Sequence, residues 1–206
     1  EEVVVTAQEN SSSAATSRTI DRTALDHIQM VNVADISALL PGGRTVNPDL
    51  TNQQVVNVRS EGTSEAGNSS FGTAIEVDGV RINNNASFSN LATGSGLKGI
   101  TTNNIASSNV ESVEVISGMP SVEYGDMGTG VVKINTRKGV TPWTVSMSTN
   151  PTMKQLSVSK GFGLRDKSMG VINASGELTK SISDPRSPYT AYTRRGATLT
   201  YSNMLT

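Results

Sequence analysis

Residues 109–139 read NVESVEVISGMPSVEYGDMGTGVVKINTRKG. The run opens as a strand from Val110 to Ile116, in which Val113 and Val115 share one face and Glu114 takes the other, since side chains along a strand alternate with a period of two. A second strand is expected from Val131 to Thr136, with Val132 and Ile134 inward and Lys133 and Asn135 outward. Between them stand Gly118, Pro120, Gly125, Gly128 and Gly130, which permit tight turns and close backbone approach. The stretch is therefore two strands joined by a patterned connection and not by a crossover helix. The rest of the chain is arranged around it.

Working upstream, Ala74 to Ile82 alternates Ile75 and Val77 with Glu76 and Asp78, and its Asp78-Gly79 pair is a strong tight-turn signal. Asn83-Asn84-Asn85 opens a long polar segment to about Asn104, too poor in apolar groups for a core element and of a length that is usually functional or mobile. Thr51 to Arg59 reads as a strand, and Glu61 to Gly72 as a Gly/Ser-rich loop. Asn32 to Gly43 is the best helix: Asn32 caps it, Asp35 suits its first turn, Val33, Ile36, Leu39 and Leu40 form an apolar face, and Pro41-Gly42-Gly43 ends it. At the start, Val3, Val4 and Val5 favour an extended backbone but stand beside a polar run to Ser17. Such a segment is either a frayed terminus or a strand that forms when a partner offers a sheet edge.

Downstream of Gly139 the pattern changes. Val145 and Met147, then Leu156 and Val158, then Ile172, Ala174, Gly176 and Leu178, and finally Ala197, Leu199 and Tyr201 alternate with uncharged or polar residues. Trp143, Phe162, Tyr189 and Tyr192 lie near the strand ends. Apolar-out, polar-in strands with aromatic ends are the signature of outer-membrane barrels, although an antiparallel sheet with one solvated face has the same alternation.

Composition narrows the function classes. The 206 residues carry 17 basic and 18 acidic side chains, a net charge of -1 spread along the chain, which offers no footprint for nucleic acid or an anionic membrane surface. There is no cysteine, so disulfides, thiolate catalysis and sulfur-ligated metals are excluded. No apolar run approaches the roughly 20 residues of a spanning helix, so a membrane could be met only with strands.

Taken together, these segments resemble a TonB-dependent outer-membrane receptor, from its energy-coupling box through its plug domain into the first strands of its barrel. Glu2-Val3-Val4-Val5-Thr6-Ala7 looks like the TonB box, VADISALLPG (33–42) like the early plug helix, and AIEVDGVRI (74–82) like the plug strand ending in Asp-Gly-Val. Val113-Glu114-Val115, Gly118, Pro120, Tyr124-Gly125, Gly128, Gly130-Val131-Val132 and Ile134-Asn135 resemble the most recognisable plug segment. Val58-Arg59-Ser60 departs from the Arg-Gly pair of many members.

The resemblance implies an α+β fold: a mixed-sheet plug domain with short helices, followed by antiparallel β-hairpins of an incomplete outer-membrane barrel. It divides the chain into a TonB box and flexible linker (1–27), a plug (28–140) and the first strands of a truncated barrel (141–206). Because such transporters close about 22 strands around a plugged lumen, the chain is expected to be part of something longer. The implied partners are a TonB-type periplasm-spanning energy-coupling protein gripping residues 2–7, the protein's own barrel, and a small-molecule or oligomeric nutrient. Arg59, Glu114, Lys133 and Arg137 are the expected plug-to-barrel contacts. Asp78, Gly79, Gly118, Pro120, Tyr124, Gly125, Gly128 and Gly130 form the structural motif, and Asn83, Asn84 and Asn85 a ligand loop. The location implied is the outer membrane of a Gram-negative bacterium, with the box in the periplasm; no cofactor, metal or nucleic acid is expected.

Other chemistry carries less. Gly94 to Gly99 matches G-x-G-x-x-G but lacks the preceding strand and following helix that would put a pyrophosphate on a helix N-terminus. His27, the sole histidine, sits beside Asp26 and reads as a surface residue, and no G-x-S-x-G exists to pair with it. Glu111, Glu114 and Glu123 could be paired for glycoside chemistry but read better as exposed or barrel-facing carboxylates, so an enzyme is not expected. The alternative class is a soluble β-rich adhesion or binding module displaying polar loops.

Overall fold

The computed structural model describes residues 8–9, 16–40, 50–51, 56, 58, 73–82, 102–117, 130–164, 169–182, 184 and 186–203. Six strands, β1 (Gln8–Glu9), β2 (Thr16–Ile20), β3 (Thr73–Val77), β4 (Val80–Ile82), β5 (Val110–Ser117) and β6 (Gly130–Thr136), form one sheet in the order β1-β2-β5-β6-β3-β4. β5 and β6 pair antiparallel, with Val113 opposite Ile134 and Val115 opposite Val132. β3 lies parallel to β6 on its other side, which makes the sheet mixed. Alternation thus sends Val113, Val115, Val132, Ile134 and Ile75 into one core, each at most 3% exposed.

Helix α1 (Arg22–His27) and a 3-10 helix over Val33–Leu39 cover that face. The Asp21 carboxylate caps α1 through the Ala24 N–H, and α1 buries Ala24 and Leu25. Asn32 caps the second helix in a capping box with Asp35, as its sequence promises. The α-helix expected from Asn32 to Gly43 is instead a 3-10 helix ending at Leu39. Its apolar residues Val33, Ile36 and Leu39 recur at a spacing of three, the repeat that brings side chains into line on a 3-10 helix. Pro41 to Gly43 lie outside the described residues. Residues 16–27, assigned by sequence to a linker, form β2 and α1. Here the backbone pairing of β2 with β5, from Thr16 opposite Ser117 to Ile20 opposite Val113, needs few apolar side chains.

The hairpin between β3 and β4 turns on Asp78 and Gly79, both with positive φ (50° and 84°), a pairing suited to two-residue hairpin turns. The Asp78 carboxylate accepts from the Thr136 N–H (3.0 Å) and hydroxyl (2.6 Å) and pairs with Lys138 at 3.2 Å, fastening the turn to the end of β6. Partial desolvation would raise the Asp78 pKa, but the two Thr136 hydrogen bonds and Lys138 outweigh it and hold the pKa below the usual value of 3.8. Its stabilising contribution is therefore present above about pH 4 and lost as pH falls through the lowered value. Asp78→Asn tolerates the positive φ and removes only the charge. It is expected to cost no more than about 1 kcal/mol at neutral pH and to flatten the acid limb of a stability-versus-pH curve; an unchanged acid limb would refute the assignment.

A second sheet follows: β7 (Thr144–Asn150), β8 (Met153–Gly163), β9 (Val171–Ile182) and β10 (Ala191–Ser202), a four-stranded antiparallel meander. β8, β9 and β10 are 11, 12 and 12 residues long, enough to cross a bilayer at a tilt. The sheet does not close on itself; β7 and β10 are its edges.

Candidate functional site

The second sheet is inside out relative to a water-soluble sheet. Its buried face carries Gln155, Ser157, Ser159, Asn173, Glu177, Thr179, Ser181 and Arg194, all below 9% exposed. Its open face carries Val145, Met147, Leu156, Leu178, Leu199 and Tyr201, with Met147 and Leu199 at 75% exposure. Scattered exposed apolar residues mean little, but a whole row of them over a buried polar row is informative.

The polar face meets the first sheet and its covering segments through a buried ion pair. Arg194 on β10 and Glu177 on β9 are diagonal neighbours, 6% and 1% exposed at the side chain. The Arg194 Nε donates to Glu177 Oε1 at 2.7 Å, and Nη2 pairs with the same carboxylate oxygen. The remaining donors reach across the seam: Nη1 to the carbonyls of Asn103 (2.9 Å) and Ile105 (3.2 Å), and Nη2 to that of Val31 (2.9 Å). Glu177 in turn accepts from the Ser108 N–H at 3.3 Å and the Thr179 hydroxyl at 3.0 Å. A buried charge is tolerated only when paired and bonded in this way.

Behind the pair runs a polar network in the first unit. Asn32 donates to Asn103 Oδ1 (2.8 Å) and accepts from Thr102, Asn103 donates to the Leu50 carbonyl (3.2 Å), and Asp35 accepts from the Val31 and Asn32 N–H groups (both 2.9 Å). Burial pushes the Asp35 carboxyl above its usual value of 3.8, opposed by those two N–H groups and the Arg194 charge. An apolar spot, Val31, Leu50 and Met153 with Tyr192 beside it, completes this part of the seam. Beyond it opens a polar cleft of about 380 Å³ lined by Arg22, Asp26, Ser107, Ser108, Gln155 and Ser157 among others. Gln155 bridges it to Ser107 at 3.1 Å.

Of the expected contact residues, Arg137 donates to Ser159 on β8 at 3.2 Å and pairs with Glu111 at 3.5 Å. Glu114 and Lys133 face each other across β5 and β6, and the row continues through Glu76 on β3 to Arg81 on β4, an alternating charge ladder within the first sheet. Gly130 begins β6 where a Cβ would lie 2.6 Å from the Ile116 carbonyl oxygen and 2.9 Å from Val58 Cγ1, so only glycine fits without displacement. Arg59, Gly118, Pro120, Tyr124, Gly125, Gly128, the 83–85 asparagines and residues 2–7 lie outside the described residues, as does the Gly94–Gly99 motif.

Comparison with protein families matches residues 9–132 to the TonB-dependent Receptor Plug Domain. The chain belongs to the TonB-dependent receptors. Its first sheet is the plug, and the inside-out meander has the arrangement of wall strands in a barrel whose lumen the plug fills. Among solved structures, the alcaligin outer-membrane receptor FauA of Bordetella pertussis superposes with a TM-score of 0.63 at 11% identity, over 95% of this chain and 30% of that one. The siderophore receptor PirA of Acinetobacter baumannii gives 0.53 at 24% identity, over 80% and 24%. The ferric enterobactin receptor PfeA of Pseudomonas aeruginosa, an R480A variant in complex with enterobactin, gives 0.55 at 19%, over 84% and 26%. At these identities the likeness is one of fold, and the chain spans less than a third of each receptor's length. No curated protein matches by sequence. TonB-dependent receptors are transporters and not enzymes.

Sequence reasoning did not single out the plug-to-wall pair of Arg194 and Glu177. A signal was present: both are charges in strands whose partner positions are otherwise uncharged, Glu177 among Asn173, Ser175 and Thr179, and Arg194 among Tyr192, Thr198 and Thr200. Opposite charges at inward positions of successive meander strands are candidates for a buried pair.

Proposed function

We propose that the chain is the plug and energy-coupling region of an outer-membrane transporter that gates energised uptake of a scarce nutrient into the periplasm of a Gram-negative bacterium. The observation that carries this reading is the pairing of a plug-family sheet with strands that bury their polar face against it and expose their apolar face. A soluble adhesion module has no use for that exposed face, which in water would invite association. No helix among the described residues is long and apolar enough to cross a membrane; strands would do so here.

In this mechanism residues 2–7 are gripped by a TonB-type periplasm-spanning protein through strand addition, in which main-chain hydrogen bonds bear the pull and side-chain identity matters little. The first described strand, β1 at Gln8–Glu9, is the outermost strand of the plug sheet beside β2, so a pull on residues 2–7 reaches the sheet at its edge. The Glu114–Lys133–Glu76–Arg81 ladder, with Arg59, offers charges to the remaining barrel wall that can re-pair with water when the plug moves. Asn83, Asn84 and Asn85 are the proposed ligand loop, contacting a small-molecule or oligomeric nutrient.

Deleting Val3 to Ala7 in the full-length receptor tests the coupling role. Nutrient binding at the cell surface is expected to remain within about twofold while energised uptake falls to background, because a ligand site and a force-transmitting segment are separable. Uptake that survives the deletion would refute the assignment of residues 2–7.

A further inference from the structure

The open face of the wall strands is not uniformly apolar, and its charges are all of one sign. Four cations, Lys154, Lys160, Lys180 and Arg195, occupy outward positions of β8 to β10, while Glu177, the one acid among the described residues of the four strands, points inward. Lys154 and Lys180 stand directly opposite each other, and Arg195 is diagonal to Lys180, whose direct partner is Thr193. Cross-strand neighbours of this kind lie on the order of 5 Å apart when opposite and about 7–8 Å when diagonal, where like charges repel. All three side chains are exposed, and none has an ion pair among the described residues. The nearby Asp184 carboxylate accepts from the Arg186 N–H in its own loop.

The position of the cluster identifies what would neutralise it. Lys154 and Lys180 stand in the outermost row; Arg195 ends the next one, beside Met147, Leu156 and Leu178, and the row after that, Val145, Val158, Gly176 and Ala197, is uncharged. At the far end stand Phe162, Ile172 and Tyr201, with Trp143 edge-on to Phe162 at 6.2 Å. Lys160 is sheltered there over both rings, 4.9 and 4.8 Å from their centroids. From Lys154 to Phe162 the strand runs about 26 Å at ~3.3 Å per residue. At a tilt of roughly 40° this is about 20 Å along a membrane normal, close to the apolar height of an outer-membrane barrel. The aromatic end and the cationic end therefore fall at the two headgroup levels, where lysine and arginine reach the interface.

We propose that Lys154, Lys180 and Arg195 form a binding site on the outer wall for the phosphate of an anionic lipid headgroup, which relieves their mutual repulsion and fixes the depth of these strands in the bilayer. The proposal rests on the reading of β7–β10 as membrane-facing wall, and the experiment separates the two. Full-length receptor is reconstituted into nanodiscs of phosphatidylcholine with phosphatidylglycerol. The ratio of the two lipids retained by the protein is then read by mass spectrometry, for wild type, Lys180→Ser, and the triple variant Lys154→Ser/Lys180→Ser/Arg195→Ser. Enrichment of phosphatidylglycerol by wild type is expected to fall about tenfold or more in the triple variant and partway in the single one, given the attraction of each cation to an anionic surface. A receptor that inserts normally but retains the two lipids in the same ratio with and without the three cations would overturn the headgroup site and leave the wall reading standing. Failure of the wild type to insert at all would overturn both.

Discussion

Replacing Arg194 with alanine is expected to loosen the plug from its first wall strands by about 3–5 kcal/mol, the usual cost of removing one member of a buried ion pair. The guanidinium serves Glu177 and three main-chain carbonyls, those of Val31, Asn103 and Ile105. Its loss leaves the carboxylate, among the described residues, with the Ser108 N–H and the Thr179 hydroxyl, and the carbonyls without this donor. Hydrogen exchange of the full-length receptor reads the effect: amides at 102–110 and 30–36 should lose protection in the variant while the far edge of the plug sheet does not. Arg194→Lys should recover little, since a single ammonium cannot reproduce the fork. Adding Glu177→Gln to Arg194→Ala should restore part of the loss, because the cost lies mainly in the orphaned charge. Unchanged protection in Arg194→Ala would show that the seam is held elsewhere.

Truncating Ile134 to alanine is the second large effect, about 2–5 kcal/mol. Ile134 is fully buried on β6, the strand between β5 and β3, with Val113 opposite on one side and Val77 on the other. The same core is closed from above by Val33 and Ile36. A cavity there is walled by paired strands and a capped helix and cannot readily collapse, which puts the expected cost in the upper half of the range. The amides of β5 and β6 should exchange together and faster. The contrast is Leu199→Ala on the open face of β10, at 75% exposure: its effect in water should be small. If Ile134→Ala leaves the exchange of both strands untouched, the core described for the plug is wrong.

The legible parts of this chain were those where local pattern and tertiary demand agree. The two-residue alternation of Val113 to Val115 and of Val132 to Ile134, the turn at Asp78-Gly79 and the cap at Asn32 each depend on neighbours in sequence. β2 and α1 were not legible, because their stability comes from a distant strand: Thr16 to Ile20 is a polar segment until β5 offers its edge. The helix after Asn32 was recognised, but its winding was not, since a spacing of three in so short a run serves either helix type. In the wall strands the alternation was plain. What it could not supply was which face turns inward, a question answered only by the plug standing against Ser157, Thr179 and Arg194. The Arg194–Glu177 pair joins strands adjacent in sequence, yet its other partners, at Val31 and Asn103 to Ser108, lie some 70 to 160 residues away.

Three of the four groups that Arg194 grips are peptide oxygens. A wall that holds its stopper by the spine has a grip that does not depend on which side chains those positions carry, so long as their backbone stays in place. The side chains there have separate duties, Val31 packing with Leu50 and Met153 and Asn103 bonding Asn32 and the Leu50 carbonyl, so a change at either would disturb the seam without cutting the fastening itself.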